Sequence, residues 1–245
     1  MELKICHLYP DVLNLYGDRG NILCLRRRLN WRGIGVTVER SGIGDPLSLD
    51  GCDLVFIGGG QDFEQEVLLD DLHTGKDAEI QAAIDDGVTF LAICGGFQML
   101  GRSYETYDGH RCDFIGALDL HTVGSRERMI GNYMFRCGEE SGGSTVVGFE
   151  NHSGKTYLGP GLSPLGTVLS GFGNNGADGG EGVRFRNVFG TYSHGPLLPK
   201  NPALCDFLLE TALTRKYGSA ELAPLDDTAE LTAHGEMVRR LGKTP

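Results

Sequence analysis

No stretch of this sequence is apolar for long enough to span a bilayer, and no basic segment followed by an apolar one opens it. The expectation is a cytosolic protein in a reducing compartment. Cationic charge is scarce: 22 Lys and Arg face 33 Asp and Glu, a net charge of −11. That balance argues against nucleic acid as a partner. The one local cluster, Arg26-Arg27-Arg28, reads as the solvated face of a helix. Seven cysteines (6, 24, 52, 94, 112, 137 and 205) include no C-x-x-C pair, and their number is odd. A disulfide framework or a zinc ribbon within the chain therefore does not fit. His110-Arg-Cys112 is the nearest approach to a metal pair, and alone it is weak. A phosphate-binding loop is missing as well: Gly148-Phe-Glu-Asn-His-Ser-Gly154-Lys155-Thr156 has five residues between its glycines where the motif needs four. No internal repeat is present.

The 245 residues, 40% of them apolar, suit one large α/β domain. Strands are expected at 3–9, 36–38, 53–57 and 88–93, alternating with helices at 18–33, 64–72 and 76–86. This alternation implies a mostly parallel central sheet flanked by helices, with functional groups at the carboxyl ends of the strands. Asp18 or Asn21 would cap the first helix. Beyond Gly101 the strands shorten (145–149, 167–169 and 182–192), which suggests antiparallel strands added at the sheet edge. Residues 172–182, rich in Gly and Asn, read as an exposed loop, and 201–217 as a closing helix. The domain is expected to span 1–213, with 214–245 a loosely held tail, acidic early and helical late.

The most informative stretch is Val88-Thr-Phe-Leu-Ala-Ile-Cys94-Gly-Gly-Phe-Gln98-Met-Leu-Gly101. An apolar run ends at a cysteine, and two glycines then lead into helical spacing, so Cys94 sits at a strand-to-helix turn. A thiolate there is available to attack carbonyl carbon, and Gly95 leaves the backbone bare for approach. The alternative is a buried structural cysteine. A base is needed, and His194 in Gly190-Thr-Tyr-Ser-His194-Gly-Pro196 has the most suggestive setting. His152 is its rival. An oxyanion hole needs N–H donors, for which Gly95 and Gly60, the latter in the Gly58-Gly-Gly60 loop, are the candidates. A tight turn without catalytic purpose is the alternative for that loop.

These pieces together resemble the class I (triad) glutamine amidotransferases. Ile57-Gly-Gly-Gly-Gln-Asp62, Tyr9-Pro-Asp-Val-Leu-Asn-Leu-Tyr-Gly-Asp-Arg-Gly-Asn21, Gly148-Phe-Glu-Asn-His152 and His194-Gly-Pro-Leu-Leu-Pro199 are similar to the cobyric-acid-synthase-like branch, especially its lipid II glutaminase subunits. The resemblance covers residues 3–213. It implies a flavodoxin-like α/β fold and L-glutamine hydrolysis by Cys94 and His194. Arg128 would bind the substrate α-carboxylate, and Gln98 would line the substrate site. It also implies a Mur-ligase-like ATP-dependent partner in a heterodimer, with ATP and magnesium on that partner and no cofactor or metal in this chain. That partner would amidate the D-glutamate α-carboxyl of the peptidoglycan stem peptide. Corrinoid amidation, a cysteine peptidase or DJ-1-like hydrolase, and an inactive scaffold are the competing readings.

The sequence departs from the class where a glutamate normally follows the histidine by two residues. Pro196 stands there instead. A Cys94–His194 dyad, another acid of this chain, or a carboxylate from the partner would each fill the gap. The expectation is the third, with weak activity in the isolated chain.

Overall fold

The computed structural model describes residues 1–60 and 62–242. In chain order its first half runs β1 (Glu2–Leu8), α1 (Arg19–Trp31), β2 (Gly35–Ser41), β3 (Leu54–Ile57), α2 (Asp62–Asp71), a π-helical turn (Leu72–Lys76), α3 (Asp77–Asp85), β4 (Thr89–Ile93) and α4 (Gly95–Met99). The second half runs β5 (Ser103–Glu105), β6 (Arg111–Asp113), β7 (Leu120–Cys137), β8 (Thr145–Leu158), β9 (Gly166–Ser170), β10 (Gly180–Glu181), β11 (Val183–Phe185), β12 (Val188–Thr191), α5 (Pro202–Tyr217) and α6 (Thr228–Leu241).

The main sheet has the order β11-β12-β4-β3-β1-β2. Every pair in it is parallel except β11–β12. β3 and β4 are buried along their whole length, which is why they read as unbroken apolar runs rather than alternating ones. Helix α1 covers this sheet with Ile22, Leu25 and Leu29, positions that recur on one helical face. The register pairs Ile57 with Ala92 and Ile93 with Thr191. The loops after β3, β4 and β12 therefore leave the sheet side by side, and the site is built there.

The expected edge strands are realised only by β11. The other short strands build a separate sheet, β10-β9-β7-β5-β6 with β8 paired to β7. Its spine, the long β7–β8 hairpin, is hidden in the sequence. The register shifts between Gly124 and Met129, and Ser125-Arg-Glu-Arg128 there faces solvent, so period-2 alternation breaks down mid-strand.

Three other expectations are corrected. Residues 172–182 are not simply exposed: Asn174 and Asn175 are buried, and Asn174 bonds Gly182 in both directions, at 2.8 and 2.7 Å. Its side-chain amide substitutes for a strand partner, so polar composition misleads. Arg28 is not solvated but buried, and its guanidinium pairs with Asp206 and Asp227, both at 2.6 Å. That second pair fastens the C-terminal segment. Arg32 Nε also donates to the Ala223 carbonyl at 2.6 Å, and Leu241 of α6 packs on Met134 and Val147. The segment expected to be a loose tail is a docked element, and α5 runs past residue 213 to Tyr217.

Candidate active site

Cys94 lies between β4 and α4 with φ 47° and ψ −107°. Non-glycine residues rarely hold such a backbone, and doing so costs on the order of 1–3 kcal/mol. The turn is locked from both sides: Cys94 N–H donates to the Thr191 carbonyl at 2.8 Å, and its carbonyl accepts from Gln98 N–H at 2.9 Å. Gly96 is required sterically, because a Cβ there would meet the Gly58 carbonyl oxygen at 2.6 Å. Helix α4 has only five residues, so its dipole is small. Cys94 retains 5% exposure, a narrow opening rather than a sealed core.

His194 follows β12 and is fully buried. Its N–H donates to the Phe149 carbonyl at 2.8 Å, tying the segment to β8. Nδ1 lies 3.2 Å from Asp18 Oδ2, so it carries the proton that the carboxylate accepts. Nε2 makes no conventional hydrogen bond among the described residues. Burial alone would lower the imidazole pKa, but the Cys94 sulfur and then Asp18 outweigh it and raise it to about 10. That environment favours a protonated His194 imidazole beside the Cys94 sulfur.

A carboxylate of this chain thus faces His194 Nδ1, which is the second of the three readings rather than the expected third. Asp18 Oδ2 also accepts the Gly59 N–H at 2.8 Å. Asp18 does not cap α1 with its side chain; the N–H of Arg19 is taken by Asn14 Oδ1 instead, at 2.8 Å. Asn21 is not a cap either: its Oδ1 accepts from Leu198 N–H at 2.9 Å. An acid 176 residues from its histidine, placed where a cap is common, carries no sequence signal for its role.

Gly58–Gly60 is more than a tight turn. A Cβ at Gly58 would lie 2.0 Å from the Leu13 carbonyl, and one at Gly59 2.3 Å from His194 Cε1. Gly60 and Gly95 sit at the adjoining ends of β3 and β4, both buried. Neither N–H donates to an acceptor among the described residues, so both are free to serve a developing oxyanion. Gln61 of the same motif lies outside the described residues.

At the mouth of the site the exposed Arg128 donates through Nε to Asn151 Oδ1, and the Asn151 amide donates to the Tyr16 hydroxyl. The Tyr16 ring stands edge-on to His194, 5.1 Å between centroids. Tyr16 holds a left-handed backbone, φ 54°. Arg128 is thus connected to the base through two side chains that the sequence did not single out. Arg126 instead lies over the Tyr107 ring.

Gln98 is buried, and its amide donates to the Tyr192 hydroxyl at 3.0 Å. That contact joins α4, which follows Cys94, to the segment that carries His194. His152, the rival base, stacks on Tyr192 with centroids 3.6 Å apart, and its Nδ1 is 2.9 Å from the Gly154 carbonyl. The imidazole that interacts with Cys94 is that of His194. Glu181 was also missed. It is fully buried and accepts from Thr191 Oγ1 at 2.6 Å and Tyr192 N–H at 2.9 Å. Burial pushes its pKa up to about 7, and its contacts brace the strand end that carries His194. Among the described residues no group of His, Cys, Asp and Glu forms a metal site.

Residues 4–202 match the CobB/CobQ-like glutamine amidotransferase domain. A Staphylococcus aureus protein named lipid II isoglutaminyl synthase (glutamine-hydrolyzing) subunit GatD is 42% identical, with 99% of this chain and 97% of that one aligned. Its Streptococcus pneumoniae namesake is 43% identical over 89% of this chain and 83% of the relative. A Pelotomaculum thermopropionicum cobyric acid synthase is 34% identical, but only 32% of its length is matched. In fold, the chain is similar to a Thermotoga maritima glutamine amidotransferase, with TM-score 0.55, 15% identity and 99% of both chains covered. A Trypanosoma brucei CTPS glutaminase domain gives TM-score 0.55 at 14% identity, covering 91% of this chain and 96% of that one. The chain belongs to the CobB/CobQ-like glutamine amidotransferase family, in the branch that holds the GatD subunits of lipid II isoglutaminyl synthase.

Proposed function

We propose that this chain is the cytoplasmic glutaminase subunit of a two-protein enzyme that amidates lipid II during peptidoglycan synthesis. It would release ammonia from L-glutamine for a Mur-ligase-like partner. The observation that carries the reading is Cys94 in its strained turn, beside a His194 whose far nitrogen is held by Asp18.

In this mechanism the Cys94 thiolate attacks the side-chain amide carbon of glutamine. The carbonyl oxygen becomes an oxyanion that accepts from the N–H groups of Gly60 and Gly95. As the C–N bond breaks, the His194 imidazolium gives its proton to the departing nitrogen, which leaves as ammonia. The resulting glutamyl thioester is attacked by water. His194 takes a proton from that water, and Cys94 leaves as the thiolate once glutamate is released. Asp18 is a positioning residue: it fixes the tautomer and angle of the ring and stabilises its cationic form. Arg128 offers a guanidinium to the α-carboxylate at the mouth.

ATP and magnesium would act on the partner, to activate the D-glutamate α-carboxyl that receives the ammonia. The near-complete alignment with GatD subunits favours this reading over corrinoid amidation, where the matched relatives are aligned over about a third of their length. The test is reconstitution of the complex with Cys94→Ala. Glutamine-dependent amidation of lipid II should vanish while amidation from added ammonium persists. Loss of both would give Cys94 a structural role. Amidation of a corrinoid but not of lipid II would overturn the assigned acceptor.

A further inference from the structure

On a protein with a net charge of −11, one crevice is lined by arginine. It lies between α1 and the edge strand β2, encloses about 220 Å³, and is bordered by Arg19, Arg26, Arg40 and His7 over a floor that includes Ile22 and Val38. The topology brings these groups together. His7 and Arg40 are register partners on β1 and β2. Arg19, Leu23 and Arg26 fall on one stripe of α1, because residues four and then three apart share a helical face.

We propose that this crevice binds a small phosphate-class oxyanion, clamped by Arg19, Arg26 and Arg40 beside the His7 imidazole.

Three observations support the assignment. Arg19 and Arg26 are exposed and form no ion pair among the described residues. Among the described residues Arg40 pairs with Asp11, at 2.6 Å, and the two side chains are 58% and 76% exposed, so that pair is weak and exchangeable. Three guanidiniums facing one space favour a counter-anion, and their forked donors match phosphate geometry.

His7 is buried, with 3% exposure, and its Nε2 has no hydrogen-bond partner among the described residues. An orphaned ring nitrogen in a protein interior is costly and calls for an explanation. Burial, then Arg40 and Arg19, lower the His7 pKa to about 4 against the opposing pull of Asp11. The ring is therefore neutral near pH 7 and offers a donor without adding charge. The volume also selects the ligand, because pockets for drug-sized molecules run to roughly 300–1,000 Å³, and this one suits a single phosphoryl group. Glutamine carries none, so the site lies outside the glutaminase reaction, although Arg19 directly follows Asp18.

The test is to titrate the full chain with inorganic phosphate and, separately, with glycerol 3-phosphate at constant ionic strength. The His7 ring resonances would be followed by NMR, assigned with a His7→Gln variant, and acetate would serve as the comparator anion. Saturable shifts and an upward move of the His7 pKa are expected. Tighter binding of the inorganic ion would identify the free anion as ligand, and tighter binding of the ester would identify a phosphate monoester. Arg19→Gln with Arg26→Gln alters only exposed side chains and should weaken binding by about tenfold per guanidinium. No saturable shift with either probe, equal response to acetate, or unchanged affinity in the double variant would each overturn the assignment.

Discussion

Gly59→Ala adds one methyl group beside the His194–Asp18 pair of the candidate site. The new Cβ would lie 2.3 Å from His194 Cε1, 3.0 Å from Asp18 Oδ2 and 3.1 Å from His194 Nδ1. The φ of Gly59 is not in the left-handed region, so alanine suits the backbone and the conflict is purely steric. Real Cβ contacts stop near 3.0 Å, so the imidazole must retreat by about 0.7 Å. That motion stretches a His194–Asp18 bond already at 3.2 Å. A misplacement of about 1 Å can cost about 100-fold in rate, so kcat should fall by about 30-fold or more. Overpacking should cost about 1–3 kcal/mol of stability, lowering Tm by about 2–4 °C per kcal/mol in a chain of this size. KM for glutamine should change less than about twofold, because a loss confined to the transition state leaves ground-state binding intact. The assay is initial-rate glutamate release with a parallel thermal melt. A variant that folds and keeps kcat within about twofold of the parent would refute the placement of Gly59 against the His194–Asp18 pair.

Asp18→Asn should lower kcat by about 10²–10⁴-fold, as when a triad acid elsewhere is made neutral, and steady-state kinetics of the isolated chain would show it. The same variant should alter the pH profile. His194 is raised from 6.5 to about 10, so the parent's alkaline limb lies near that upper value, where the imidazolium is lost. Removing the Asp18 charge should move the limb to lower pH. The sign for stability is the same: protonated His194 stabilises the fold fully below 6.5, and that contribution is lost as pH rises through about 10. Arg128→Ala should raise KM about tenfold with kcat nearly unchanged; an unchanged KM would remove Arg128 from the substrate site. Arg28→Ala strands the partly buried Asp227 and leaves Asp206 with Arg32 alone, which should cost roughly 3 kcal/mol and lower the melting temperature by about 6–12 °C. A melt within 2 °C of the parent, a shift worth under about 1 kcal/mol, would show that the C-terminal segment is held by other contacts.

What the sequence revealed depended on how local each signal is. Cys94 was legible because β4 is buried on both faces and ends in two glycines, a pattern contained within a dozen residues. The parallel sheet followed from the same kind of run at β1 and β3. Asp18 was legible only as a helix cap, since nothing local distinguishes a carboxylate that caps from one that reaches across the fold to His194. Tyr16 and Asn151 were hidden because their value lies in a chain of contacts from Arg128 to His194, made by segments far apart in sequence. Arg28 misled for a related reason. Its neighbours Arg26 and Arg27 are exposed, while it turns inward to carboxylates supplied by α5 and the segment before α6. The β7–β8 hairpin was lost where solvent-facing charge interrupts alternation.

The most direct measurement is covalent labelling by 6-diazo-5-oxonorleucine, a glutamine mimic with an electrophilic carbon, read out by peptide mass spectrometry. The account predicts one adduct, on Cys94, that forms progressively more slowly as glutamine is added and is sharply slowed in Asp18→Asn. Labelling that falls on another of the seven cysteines, or that glutamine does not suppress, would contradict it.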